Sequence, residues 1–308
     1  MRINDLENAS FGRRNTMISV IVSSCDKANL SNLTRSIEET IDAVHEVVVI
    51  ENDGARYGLT EAYNQGASRS KYPFLLFVHE DVIFETYGWG KILINYLATL
   101  DNVGIVGVAG TEYKPFVPSG WAFNLTRPLS YSLLQGSKYQ NLSTVSTKAN
   151  CSAVRKMICL DGVFLALRRD VFETVRFDET LEGFHGYDTD FSLRVSEKYQ
   201  NYFVPDILIE HFSEGKISDQ WLINAYRISE KWKAKLPRSV AEKGIDLECE
   251  LSAYNMYVNL LYESSLSGRE KARYLVKTTV YALMKSRSPR FIKALFYSIK
   301  ERRFNKRS

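Results

Sequence analysis

The first third of the chain alternates short apolar runs with helically spaced apolar positions. Met17 to Ser23, carrying Ile18, Val20, Ile21 and Val22, is an apolar run without polar alternation, as expected of a strand covered on both faces. Leu30, Leu33, Ile37 and Ile41 then recur at spacings of three and four, which is one face of a helix. Val47 to Ile50 predicts a second buried strand, and Leu59 to Ala67 a second short helix. Leu75-Leu76-Phe77-Val78 predicts a third strand that runs straight into His79-Glu80-Asp81. Strand, helix, strand, helix, strand with short links predicts an α/β fold built on βαβ units and a mostly parallel sheet flanked by helices. Further along, Met157 to Leu167 reads as a strand interrupted at Asp161-Gly162, and Asp206 to Glu210 as an edge strand bounded by Pro205. Trp221, Ala225, Ile228 and Trp232 predict a helix packing on the sheet. Between them, Thr111 to Lys156 shows neither period, and so long a connection inside a compact domain is usually functional.

Two predicted strands end in acids on one sheet edge: Glu51-Asn52-Asp53 and His79-Glu80-Asp81. In open α/β sheets the carboxyl edge is where ligands bind. A carboxylate there can hold Mg²⁺ or Mn²⁺ while phosphate oxygens fill the other positions, so the pattern points to a metal-bound nucleoside diphosphate. A strand that ends in Glu-Asp also serves as a solvated turn. Asp188, within Gly186-Tyr187-Asp188-Thr189-Asp190, fits the N-cap of a following helix, with Asp190 near the positive end of its dipole. Asp161 fits a turn acid, Trp121 a packing aromatic, and His211 either a satisfied polar side chain or an imidazole ligand beside a carboxylate.

Four ordered motifs draw these residues together: His79-Glu80-Asp81-Val82, Leu160-Asp161-Gly162-Val163-Phe164, Tyr187-Asp188-Thr189-Asp190-Phe191 and Glu210-His211-Phe212-Ser213. In that pattern the stretch from about Ile18 to Ala234 resembles the GT-A-fold glycosyltransferases of the family 2 type, particularly a bacterial subgroup. The resemblance implies a GT-A fold over 17–235, preceded by a polar segment, 1–16, and followed by a helical, basic extension, 236–308. It implies sugar transfer from a nucleotide sugar, expected to be UDP-linked, to a saccharide or lipid-linked acceptor in surface polysaccharide or related glycan synthesis. Asp188 would then be the base, and Asp81 and His211 would hold Mn²⁺ or Mg²⁺. Glu51 or Asp53 would contact the uracil or ribose, with Asn52, His79 and Glu80 beside the nucleotide and Asn64 near the sugar-phosphate. Trp121, Asp161, Gly162 and Tyr187 would line the donor or acceptor sugar. A single displacement would invert the anomeric centre. The chain departs from the pattern twice: the usual Asp-X-Asp is His79-Glu80-Asp81, and the usual Glu-Asp pair is Tyr187-Asp188. Those departures keep open a non-catalytic nucleotide-sugar-binding or scaffold protein of the same fold. A nucleotidyltransferase-like enzyme would need a basic, Gly-rich phosphate loop, and Ser23-Ser24-Cys25-Asp26 offers none.

Composition sets limits on this reading. With 308 residues, 45% of them hydrophobic, the chain can bury a full core. Cys25, Cys151, Cys159 and Cys249 lack any CxxC spacing, which predicts reduced thiols. Met1 to Thr16 has no apolar signal-peptide region, and no apolar run approaches a membrane span, so a cytoplasmic protein is expected. The net charge of +4 conceals a net of +11 over Arg269 to Ser308, which leaves −7 for the rest. There Ile292, Leu295, Phe296 and Ile299 share a helical face among Arg290, Lys293, Lys300, Arg302 and Arg303. Two readings stand: a peripheral helix on the anionic inner face of the plasma membrane, or a helix packed on the body. No stacking motif or binding fold supports nucleic acid as the partner.

Overall fold

A computed structural model describes residues 16–123, 129–136, 145–147, 151–213, 217–241, 244–289, 291–293 and 295. The first half runs β1 (Met17–Ser24), α1 (Lys27–Thr40), β2 (Val44–Glu51), α2 (Leu59–Arg69), β3 (Phe74–Val78), β4 (Val82–Phe84), α3 (Trp89–Thr99) and β5 (Val103–Gly107). Short strands follow: β6 (Ala109–Thr111), β7 (Tyr113–Lys114), β8 (Leu129–Tyr131), β9 (Leu133–Gln135), β10 (Val145–Thr147), β11 (Arg155–Met157) and β12 (Cys159–Leu160). The rest comprises β13 (Phe164–Arg168), α4 (Arg169–Val175), α5 (Tyr187–Val195), β14 (Gln200–Phe203), β15 (Ile209–His211), α6 (Asp219–Trp232), β16 (Arg238–Ser239), α7 (Leu247–Glu263) and α8 (Gly268–Ser286).

The chain divides into two compact units, Met1–Thr111 with Ser130–Lys216, and Glu112–Leu129 with Ile217–Ser308. The first is an α/β unit around a seven-stranded sheet in the order β11-β14-β5-β13-β3-β1-β2. Parallel pairs join β1 to β2 and β3, and β5 to β14; β13 runs antiparallel to both β3 and β5, as β11 does to β14. Five strands therefore share one direction and two oppose it, a mixed sheet.

Local chemistry explains the first elements. The Asp26 carboxylate caps α1 by accepting from the amides of Ala28 and Asn29, and Leu33 and Ile37 on that helix are fully buried. β1 and β3 are buried along almost their whole length, whereas in β2 only Ile50 is. The expectation of a strand covered on both faces thus fails for Val47 to Val49, because β2 is the sheet's edge. The predicted edge strand at Asp206 to Glu210 also needs correction: β15 starts at Ile209 and lies between β9 and β4 in a four-stranded sheet, β10-β9-β15-β4.

In the second unit Leu222 and Ala225 of α6 form an apolar cluster with Tyr257 and Leu261 of α7. α8 opens with a capping box in which the Ser267 side chain and Glu270 satisfy each other's backbone amides. Beyond it, Phe291 is fully buried with its ring 6.3 Å from that of Phe116, and Leu295 is 1% exposed. Of the expected tail face Ile292 is half-buried, while Phe296, Ile299, Arg290, Lys300, Arg302 and Arg303 lie outside the described residues. The burial of Phe291 and Leu295 favours a helix packed on the body. No helix among the described residues is long and apolar enough to cross a membrane.

Candidate active site

β3 ends at Val78, and the next three residues turn the chain into β4 along the carboxyl edge of the sheet. The antiparallel register of β4 and β15 pairs Val82 with His211, and the amide of Phe212 donates to the Asp81 carbonyl at 2.9 Å. His211 is thereby delivered beside Asp81 by backbone pairing. Its Nε2 lies 3.3 Å from Asp81 Oδ1 and 3.4 Å from His79 Nδ1. The ligand atoms of His79, Asp81 and His211 all lie within 4.8 Å of one another. Neighbouring ligands around an octahedral cation at roughly 2.1 Å stand about 3 Å apart, so the spacing fits a divalent ion. Burial pushes the Asp81 carboxyl up, but the hydrogen bond and charge of His211 and the charge of His79 outweigh it, holding the group below its ordinary value. Burial, and then the nearby His211, push His79 down to about 4. A carboxylate beside a neutral imidazole is the protonation a cation requires.

A second cluster adjoins the first. The chain breaks between β12 and β13 because Asp161 Oδ1 accepts from the Val163 amide at 3.0 Å, and the Val163 carbonyl in turn accepts from the His79 amide at 3.3 Å. Gly162 leaves room for Tyr187: a Cβ there would lie 2.0 Å from the tyrosine hydroxyl. That hydroxyl is 2.8 Å from His79 Nε2. α5 begins at Tyr187 with Gly186 as its N-cap, so Asp188 is not the cap; it stands in the first turn, its Oδ1 accepting from the Thr189 amide at 2.7 Å. Burial, together with the neighbouring Asp161 carboxylate, pushes Asp188 up to about 7 despite hydrogen bonds from the amides of Thr189 and Gly162. Two of the sequence motifs thus meet at one carboxylate whose proton affinity suits proton transfer near neutrality.

Other expected ligand residues are engaged within the chain. The Glu80 carboxylate accepts from the Ser24 hydroxyl at 2.6 Å and from the amides of Cys25 and Asp26, which ties the β1–α1 turn to the end of β3. Asn52 is 1% exposed and closes its own loop, donating to the Tyr57 carbonyl and accepting from the Tyr57 amide. Asn64 joins α2 to the Phe177 backbone and to Glu179. Glu51 and Asp53 are exposed at the end of β2. Trp121 is half-buried and belongs to the second unit.

Two side chains had no signal in the sequence. Gln135 lies in the aperiodic stretch, yet β9 and β15 pair in parallel with Gln135 opposite His211, and its Oε1 is 3.2 Å from His211 Nδ1. Tyr63, on the buried face of α2, sets its ring edge-on to that of Tyr187, centroids 5.8 Å apart. His79 was expected beside the nucleotide; the structure groups it with Asp81 and His211.

An α/β unit with an Asp and two His at the carboxyl edge, backed by a half-buried Asp pair, defines the class: a GT-A-like fold. The profile of the glycosyltransferase-like family matches residues 19–234, and the chain belongs to that family. Among solved structures, the chain is similar to GalNAc-T7, crystallised with UDP, GalNAc and Mn²⁺, at 14% identity and a TM-score of 0.50. That match covers 86% of this chain and 54% of the other, so the chain spans about half the length of that neighbour. A197 from STIV matches at 13% identity and a TM-score of 0.37, over 65% of this chain and 86% of its own. No curated protein matches the chain.

Proposed function

We propose that this protein transfers a sugar from a uridine-diphosphate donor to an acceptor hydroxyl, with a divalent cation held by His79, Asp81 and His211. The observation that carries the reading is the continuity of the two clusters: Tyr187, hydrogen bonded to His79 at 2.8 Å, is followed directly by Asp188. Departure of a nucleoside diphosphate develops negative charge on phosphate, and a bound divalent ion supplies Lewis-acid stabilisation of that charge. Two imidazoles and one carboxylate form a donor set that favours Mn²⁺ over Mg²⁺, which prefers oxygen. GalNAc-T7, a neighbour in fold, was crystallised with UDP and Mn²⁺, which supports the same choice here.

Asp188 accepts the proton of the attacking hydroxyl, and its carboxylate stays available because the Gly162 and Thr189 amides orient it. Asp161 raises the proton affinity of Asp188 and orients sugar hydroxyls. Glu51 and Asp53, at the end of β2, take the nucleoside, and Glu80, Asn52 and Asn64 fix the turns around it. A single displacement with one base inverts the anomeric centre. The acceptor is a saccharide or lipid-linked hydroxyl. Calorimetry of UDP binding with and without Mn²⁺ tests the reading. Affinity should rise with Mn²⁺ in the native protein and lose that dependence in Asp81→Asn; Mn²⁺-independent UDP binding in both proteins would overturn it.

A further inference from the structure

A histidine offers a lone pair to a cation only from the nitrogen that carries no proton, so the partner of the opposite nitrogen decides whether the ring can serve. Both imidazoles in this cluster have such partners. On His211 the inner nitrogen is Nε2, and the outer Nδ1 faces Gln135 Oε1 at 3.2 Å. The orientation of the Gln135 amide is itself determined, because its Nε2 donates to the Ser213 carbonyl, which can only accept. The end facing His211 is therefore the amide oxygen, Nδ1 must carry the proton, and the lone pair falls on Nε2. On His79 the inner nitrogen is Nδ1, and the outer Nε2 lies 2.8 Å from the Tyr187 hydroxyl. The Tyr187 ring stands edge-on to that of Tyr63, with centroids 5.8 Å apart. With the Tyr187 oxygen accepting from His79 Nε2–H, the His79 lone pair falls on Nδ1.

We infer that Gln135 and Tyr187 are positioning residues that set opposite tautomers on His211 and His79, so that both rings aim a lone pair at the point where Asp81 places its carboxylate. The inference rests on the cation reading of that cluster. It also gives Gly162 a physical task, since any side chain there would collide with the Tyr187 hydroxyl. Backbone register holds the arrangement in place, because Gln135 and His211 are direct partners across β9 and β15.

Electron paramagnetic resonance of free Mn²⁺, titrated into the full chain with and without UDP, reads the outcome. Gln135→Leu removes the acceptor, and Tyr187→Phe removes only the hydroxyl while keeping the ring among Tyr63 and Phe177. Each should weaken Mn²⁺ binding by about 10- to 100-fold. Gln135→Glu keeps an acceptor facing Nδ1–H and should restore binding to within a few-fold of native. The metal-free melting temperature of each variant controls for folding. Native-like Mn²⁺ affinity in Gln135→Leu and Tyr187→Phe would overturn the inference, as would equal losses in Gln135→Leu and Gln135→Glu, which would assign the effect to packing. Should the native protein itself bind no Mn²⁺, the cation reading fails instead, a result separable from either of the others.

Discussion

Each unit contains a carboxyl pushed up to about 7, half-buried Asp188 in the first and fully buried Glu250 in the second. Burial is the first cause in both, but the surroundings differ. Glu250 is 0% exposed and saturated with donors: the Tyr113 hydroxyl at 2.7 Å and the Phe116 amide at 3.0 Å on Oε1, and the Val117 amide at 3.4 Å on Oε2. Those bonds bind α7 to β7 and the segment after it, and the lysine in that strand, Lys114, is itself buried and donates to Ser119 at 2.8 Å. Asp188 instead retains some exposure and faces another carboxylate, Asp161. A raised proton affinity therefore does not mark a reactive group by itself. A carboxylate surrounded by donors holds structure; one set against a like charge and partly exposed is a candidate for proton transfer.

Exchanging each acid in turn should separate the two roles. Asp188→Asn should lower turnover by about 100-fold or more while leaving the melting temperature level or raised, because a destabilised carboxylate is removed. Glu250→Ala should do the reverse. It leaves the Tyr113 hydroxyl and the Phe116 amide buried without their acceptor, a cost of about 3–5 kcal/mol by chemical denaturation, with UDP and Mn²⁺ affinity preserved. Should Glu250→Ala abolish turnover in a stably folded protein, the contrast is broken.

Deletion of Arg290 to Ser308 probes the second unit again. Loss of the buried Phe291 and Leu295 side chains should cost roughly 3 kcal/mol and lower the melting temperature. If the truncated chain melts as the native one does but no longer binds anionic vesicles, the tail serves a membrane instead.

Further effects are in pH. Folded Asp188 and Glu250 hold their protons to about 7, against ordinary values of 3.8 and 4.5. Between about pH 4 and 7 the folded chain therefore binds more protons than the unfolded one, so their contribution to stability is full below pH 4 and is lost as pH rises through 7. Turnover should rise with pH over the same range as Asp188 ionises. Asp161→Asn removes the neighbouring charge and should move that acid limb to lower pH. A limb that stays in place would separate the two acids.

Much of this site was legible in the sequence, and the parts that were not share a physical cause. β1, α1, α2 and β3 follow from apolar spacing because their neighbours are close in sequence. The low burial of β2 was hidden, since edge position is set by the order of strands in the sheet. Asp81, Asp188 and His211 stood out through the motifs, but the grouping of His79 with Asp81 and His211, and the placement of Gln135 and Tyr63 beside them, depend on pairing between distant strands and on a helix face. The engagement of Glu80, Asn52 and Asn64 within the chain was equally hidden, because a polar residue at a strand end looks the same whether it meets a ligand or a backbone amide.

Release of UDP from a set of UDP-sugars is the most direct test of the account. The native protein should cleave at least one donor, stop on addition of a chelator, and resume with Mn²⁺, while Asp81→Asn loses the Mn²⁺ response and Asp188→Asn binds UDP but turns over about 100-fold more slowly. No release from any donor in the presence of Mn²⁺, or release unchanged in both variants, would contradict it.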